Sequence, residues 1–334
     1  METLLIGPSV ELLVAGLVAD ALLGDPEYRW HPVRRIGVSI TAWENRLRRR
    51  GWEGRWGGIL LCVLVAGQWL GLSLAALWIL GRVHRILAIL GHTFLVYSLL
   101  ALRSLVDHVA AVGRAADVGD LDGARQAVAR LVGRDVSGMD AAACRRAAVE
   151  SLAENFTDGV LSPLFWYVLA GVPGLVLFKV ASTLDSMVGY RTPAYLHFGW
   201  AGARWDDLMN LAPARLSVLF IAAAAVLEPG CDPRASLRRA WRDHSLVPGP
   251  NAGWSEAAVA GALRRRLVGP IYVQGQLVTD LWIGEPSDPP AGEPEDLRRA
   301  LRLILIASSF AAAAAVAALA SVLTKILSGS GVSW

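Results

Sequence analysis

The sequence predicts a mostly α-helical, polytopic integral membrane protein. Three observations carry that reading. The 334 residues are 54% hydrophobic and only 18% charged, with a mean hydropathy of +0.43, whereas soluble chains carry about 25% charged residues. Several runs stay apolar for the roughly 20 helical residues that a bilayer crossing takes. Arginines gather in the polar stretches between those runs, as they do on the cytoplasmic side of a membrane.

The elements follow in order. Residues 3–19 are apolar apart from Glu11. They lack the basic start and small-residue cleavage site of a signal peptide, so a retained helix is expected. Between Arg29 and Arg55 stand eight arginines against Glu44 and Glu53, which puts this loop inside and the N-terminus outside. Residues 56–80 and 86–102 are apolar and read as the next two crossings, joined by a short external turn. Residues 103–158 return to the cytoplasm as polar, amphipathic helices. In "GDLDGARQAVARLVGRD", Asp120 is placed to cap a helix whose apolar face is Leu121, Ala124, Val128 and Leu131.

Residues 159–178 are uncharged but carry "GVPG" (Gly171 to Gly174) in their middle. Proline removes a helical hydrogen bond and glycine permits a tight turn. The run is either a plain kinked crossing or a re-entrant hairpin of two half-length helices. The hairpin returns Asp185 toward the cytoplasmic face, and such a break survives at membrane depth only under cover of protein or a cavity. Residues 216–227 are short for a crossing and read as a partly buried helix or a second hairpin. Residues 228–302 are polar and proline-rich, with Arg234, Arg238, Arg239 and Arg242 again marking the cytoplasmic face. Residues 303–324 form the last apolar run, between Arg302 and Lys325. No internal repeat is visible, and the chain reads as one membrane domain over 1–334.

Chemistry concentrates in a few stretches. "ESLAENFTDG" sets Glu150, Glu154 and Asp158 four residues apart, with Asn155 beside them. Like charges at that spacing cost a few tenths of a kcal/mol per pair on a helix. A cation with phosphate oxygens would reward the arrangement; the alternative is a solvated helix face. "KVASTLDSMVGYRTPAY" holds Lys179, Thr183, Asp185, Ser186, Tyr190 and Arg191. That mixture of acids and bases suits a metal with phosphate, or else anchors the chain at a membrane interface. "RWDDLMNLAPARL" adds Asp206, Asp207 and Arg215; adjacent aspartates face different ways on a helix, so one of the two is expected to be a ligand. Asp25 and His31 each precede a proline in "LLGDPEYRWHPVRRIG", where the backbone is extended or turning. Asn251 opens a small-residue helix after "PGPN".

Other classes find no support. A net charge of +3 gives nucleic acid nothing to answer, and Cys62, Cys144 and Cys231 are scattered rather than paired at ligand spacing. No G-x-x-x-x-G-K-S/T phosphate loop, H-E-x-x-H zinc motif or G-x-S-x-G nucleophile motif occurs.

Taken together, "DALLGDPEYRWHPVRRIG", "LVGRDVSGMD", "ESLAENFTDGVLSPLFW", "STLDSMVGY", "ARWDDLMNLAPARL" and "PNAGWSEAAVAGAL" resemble, in order, the adenosylcobinamide-phosphate synthase family, CobD or CbiB, of cobalamin biosynthesis. One departure is Ser182, where the family usually has Asn. The resemblance implies a multi-pass enzyme of the cell membrane with its motifs on the cytoplasmic side. It implies an ATP- and Mg²⁺-dependent ligase that joins adenosylcobyric acid, a corrinoid, to (R)-1-amino-2-propanol or its O-phosphate through an amide bond. It leaves an oligomer open and brings no nucleic acid. On that reading Glu150, Glu154, Asp158 and Asp185 are the expected Mg²⁺ ligands, with Asn155 in the catalytic group. Lys179, Arg191 and Arg215 are phosphate clamps, and Thr183, Ser186, Tyr190, Asp206, Asp207, Asp25, His31 and Asn251 are further substrate contacts. A transporter, or a non-catalytic sensor related to the family, is the competing reading; acids beside a broken membrane helix are found in transporters too.

Overall fold

Among the described residues five helical stretches are long and apolar enough to cross a membrane: Arg55–Val83, Arg85–Asp117, Ala141–Val188, Trp200–Leu227 and Pro294–Ser321. With helices making up most of the rest, the expected mostly α-helical polytopic membrane architecture is what the chain adopts. The structure is a computed structural model and describes residues 6–24 and 28–329. Asp25 lies outside the described residues.

The chain divides into two compact units. The first draws on Met1–Ala101, Ser162–Met209 and Ala312–Trp334, the second on Leu102–Leu161 and Asn210–Ala311. In the first unit, helix α1 (Val10–Leu23) is capped by Ser9, whose hydroxyl accepts from the Leu12 amide at 3.3 Å. Helix α2 (Pro32–Arg48) starts on a proline, whose missing N–H is harmless in a first turn. Helices α3 (Arg55–Val83) and α4 (Arg85–Leu99) follow. Polar ties hold α2 to α3: Trp43 Nε1 donates to Gln68 Oε1 at 2.7 Å, and Trp69 Nε1 to Ser39 Oγ at 3.2 Å.

In the second unit, α5 (Leu102–Asp117) and α6 (Leu121–Val128) form an amphipathic pair. Asp120 caps α6 as expected, accepting from the Gly123 amide at 2.9 Å. Helix α7 (Ala141–Phe156) runs into a π-helical turn, Thr157–Leu161, and continues as α8 (Ser162–Val188), which belongs to the first unit.

Helix α8 is broken at Gly171, whose φ of 63° and ψ of −145° are open almost only to glycine. Pro173 sits in the first turn of the second half, where it costs nothing. The chain folds back at this point: a side chain added at Gly174 would strike the carbonyl of Trp166. In an unbroken helix eight residues would separate those groups by about 12 Å. Trp166 accordingly packs against a cluster of Phe178 and Ala181 from the other half with Met209 of the later helix Trp200–Leu227.

Two elements differ from the sequence reading. The segment 216–227 is the end of a longer helix, α9 (Trp200–Leu227), which takes in the polar "ARWDDLMN" turns and Pro213. After α10 (Pro233–Asp243) and α11 (Ala252–Leu263), the polar region forms a two-stranded antiparallel hairpin, β1 (Leu267–Val273) and β2 (Gln276–Ile283). Its loop is Gln274–Gly275, both with positive φ, the geometry that matches strand twist in a two-residue turn. Helix α12 (Pro294–Gly329) ends the described chain.

Candidate functional site

The acidic stripe sits on α7 and the turn after it. Asp140 starts this helix by accepting from the Ala143 amide at 2.7 Å. Cys144, Ala147, Ala148 and Leu152 are buried, which fixes the helix rotation, while Glu150 is half-buried and Glu154 exposed. Asp158 falls inside the π-helical turn. An extra residue per turn re-aims the side chains that follow, and such turns recur at functional sites.

The stripe is not a row of equals. Arg134 Nη2 donates to Glu150 Oε2 at 2.7 Å, with side chains 7% and 15% exposed. Glu150 is thereby neutralised by a partner within its own unit. Asn155 Nδ2 donates back to the carbonyl and hydroxyl of Ser151 at 2.9 and 3.1 Å.

A fourth carboxylate completes the group, and the sequence reading did not single it out. Glu256 is 3% exposed, on α11, a helix of small residues buried from Gly253 to Leu263. Small residues let that helix approach its neighbour backbone to backbone: a side chain at Gly261 would strike the carbonyl of Ala235 on α10. Glu256 Oε2 has no hydrogen-bond partner among the described residues. Burial pushes its carboxyl well above the ordinary range. The charges of Glu154, then Glu150 and Asp158, push the same way, against relief from Arg134. Both effects favour the protonated form of Glu256 over its carboxylate. The available signal was that Glu256 is the lone ionisable residue in "AGWSEAAVAGAL".

Arg215 and Asn251 belong to the same unit. Arg215 Nη1 donates to the Leu211 carbonyl at 2.7 Å and to Asn251 Oδ1 at 3.4 Å, and its guanidinium lies 5.1 Å from the Trp254 ring centre.

The remaining candidates lie in the first unit. Lys179 is buried, and Thr183 donates to its carbonyl at 2.7 Å. Asp185 is half-buried and within electrostatic range of Asp207, which pairs with Arg204 at 3.0 Å. Ser186 donates back to the Ser182 carbonyl at 2.9 Å. Asp206 is half-buried, and Tyr190 and Arg191 are exposed. His31 is buried at the start of α2, edge-on to Tyr28 with ring centres 5.3 Å apart.

Among the described residues no three His, Cys, Asp or Glu side chains converge closely enough to enclose a metal ion by themselves. Magnesium carried on a phosphate ester does not need such a cage. It takes one or two carboxylates and completes its shell with water and phosphate oxygens. Exposed Glu154 and half-buried Asp158 fit that open mode by their accessibility; Glu150, held by a close ion pair with Arg134, and buried Glu256 fit it less well.

Fold and site together define a helical multi-pass membrane protein with carboxylates and one arginine within electrostatic range of a buried glutamate. The CobD/Cbib protein family model matches residues 13–304, and the chain belongs to that family. A cobalamin biosynthesis protein CobD from Rhizobium meliloti is 42% identical over 319 residues, covering 91% of this chain and 96% of that protein. One from a Sinorhizobium species is 43% identical over 289 residues, covering 82% and 87%. One from Rhodobacter capsulatus is 43% identical over 298 residues, covering 87% and 91%. No solved structure matches the chain.

Proposed function

We propose that the protein is the amide-forming synthase of cobalamin biosynthesis. It would join the carboxylate of adenosylcobyric acid to (R)-1-amino-2-propanol or its O-phosphate, at the expense of ATP. Family membership and the names of the relatives support a biosynthetic enzyme with a corrinoid substrate. The observation that carries the reaction is the set of Glu150, Glu154 and Asp158 within electrostatic range of buried Glu256, with Arg134 paired to Glu150.

A carboxylate is a poor electrophile and does not condense with an amine unaided. In the proposed first step a carboxylate oxygen of the corrinoid attacks the γ-phosphorus of ATP, and ADP leaves. In the second, the amine nitrogen attacks the acyl carbon, and inorganic phosphate departs with that oxygen. The proton lost by nitrogen passes to a carboxylate of the group or to solvent. Glu154 and Asp158 would hold magnesium, which when bound would supply charge neutralisation for the triphosphate. Arg215, whose guanidinium bonds the Leu211 carbonyl and Asn251, would hold phosphate oxygens. Arg134 would hold Glu150 in place through their ion pair, and a raised proton affinity at Glu256 would limit the negative charge that the anionic substrates meet. Within the first unit, Lys179, Asp185 and Arg191 remain proposed substrate contacts.

The break at Gly171 also suits a transporter. The discriminating experiment is an assay of the purified protein in detergent with adenosylcobyric acid, ATP, Mg²⁺ and each amine in turn, read by mass spectrometry. The expected result is the amide, with either amine, only when ATP and Mg²⁺ are present. ATP-independent corrinoid uptake into vesicles, with no amide from either amine, would favour transport.

A further inference from the structure

A groove in the second unit runs away from Arg215, the proposed phosphate contact at its end, and the rest of its lining has no role in the chemistry proposed above. Its floor is one face of α9: Leu219, Ala222 and Val226 stand about one and two turns apart, and the Arg215 end lies eleven residues from Val226, or about 16 Å along the axis. Its wall is α10. The groove holds about 550 Å³ beside Trp241 and Trp254, and a neighbouring section of about 300 Å³ continues it past Leu219 and Leu237 toward Val226. The lining is apolar and open: Leu219 is 59% exposed, Leu237 45% and Trp241 76%.

Against that apolar floor stand Arg234 and Arg238, one helical turn apart on α10 and both exposed. Neither is within ion-pair distance of a carboxylate among the described residues, although α10 and its flanks make several such pairs, including Arg242 with Asp243 at 2.5 Å and Arg264 with Asp232 at 3.4 Å. Helix α9, which provides the floor, is long and apolar enough to cross a membrane, and it ends only six residues before α10 begins. Paired cations beside a leucine and tryptophan surface are what the interfacial region of a bilayer selects.

We propose that this groove is a binding site for one anionic phospholipid, its phosphate on Arg234 and Arg238 and an acyl chain along Leu219, Ala222 and Val226. A soluble phosphate ester would leave the apolar stripe wet. Arg238 acts on Asp232 through space without an ion pair between them, so both guanidinium groups keep room for an anion, and a zwitterionic lipid would gain little from them.

The test uses the full chain in detergent micelles, with native mass spectrometry and thermal unfolding after addition of phosphatidylglycerol, phosphatidylcholine or free glycerol 3-phosphate. Phosphatidylglycerol is expected to bind about tenfold more tightly than phosphatidylcholine or better and to raise the unfolding temperature. Glycerol 3-phosphate should do neither. In the Arg234→Gln/Arg238→Gln variant the preference should vanish, with unfolding in plain detergent unchanged. Trp241→Ser, which alters the wall without touching charge, should weaken both lipids alike. Equal binding of the two lipids, a preference that survives the double variant, or stabilisation by glycerol 3-phosphate equal to that by the lipid would each overturn the assignment. A lipid-independent dimer disrupted by Trp241→Ser would overturn it in favour of a second copy of the chain.

Discussion

Glu256 is a carboxyl group in a place where an ionised carboxylate could not comfortably stay. Burial and the charges of Glu154, Glu150 and Asp158 raise its proton affinity in the folded protein. The unfolded chain has no such bias. The folded state therefore binds a proton that the unfolded state releases, and stability falls as pH rises from the ordinary glutamate range through the raised value. Glu256→Gln removes that dependence. In chelator-containing detergent buffer its unfolding temperature should match wild type near pH 4 and exceed it increasingly toward pH 8. Parallel curves across that range would contradict a protonated Glu256.

Arg134 makes the opposite case at the same scale. Substituting it leaves half-buried Glu150 without its partner, which typically costs about 3 kcal/mol. Arg134→Met should lower stability by about that amount, and adding Glu150→Gln should recover much of it; denaturant titration in detergent measures both. Glu154→Gln and Asp158→Asn remove exposed or half-buried charges instead. Each is expected to cut amide formation by about 100-fold or more while leaving unfolding within a few tenths of a kcal/mol of wild type. Near-normal turnover would take that residue out of the proposed site. The repetition of acids was legible in the sequence because helical spacing is regular. Glu256 was not, because one acid in a helix of alanines and glycines has no pattern to join, and only the fold brings it to α7.

At the scale of elements, the "GVPG" break was legible because glycine and proline each exclude the regular helix on their own. The structure adds that Gly171 packs against the backbone at Ile6 to Pro8, so a side chain there meets both strain and a clash. Gly171→Ala should destabilise by at least about 1 kcal/mol, measured by thermal unfolding in detergent. No change would mean the turn can be made without glycine. The re-entrant reading also fixes a sidedness for the second half of α8. A cysteine at Ser186, in a background lacking Cys62, Cys144 and Cys231, should resist an impermeant maleimide applied outside cells. Ready labelling would reject a cytoplasmic return. The β-hairpin escaped the sequence reading because its strands, "LVGPIYV" and "QLVTDLWI", are short, and glycine and proline interrupt the first. Its two-residue "QG" turn was the usable signal. The length of α9 was missed for another reason: its first half is polar, so hydropathy alone starts the helix about four turns late.

On the scale of the whole molecule, composition alone announced a membrane protein, since a chain with so few charges cannot cover a soluble surface. The division into two units was not visible, because both are assembled from non-contiguous stretches and the chain passes between them inside helices, at residues 161 and 162, 209 and 210, and 311 and 312. The central claim is that ATP activates a corrinoid carboxylate for attack by an amine. The most direct measurement follows one oxygen atom. Adenosylcobyric acid labelled with ¹⁸O in the reacting carboxyl group is turned over with ATP, Mg²⁺ and the amine, and the phosphorus products are examined by mass spectrometry. The account predicts ¹⁸O in inorganic phosphate, with ADP as the other product. Label in AMP with release of pyrophosphate would move the attack to the α-phosphorus and contradict the proposed placement of the metal and phosphate contacts. Consumption of ATP with no label in any phosphorus product would contradict carboxylate activation itself.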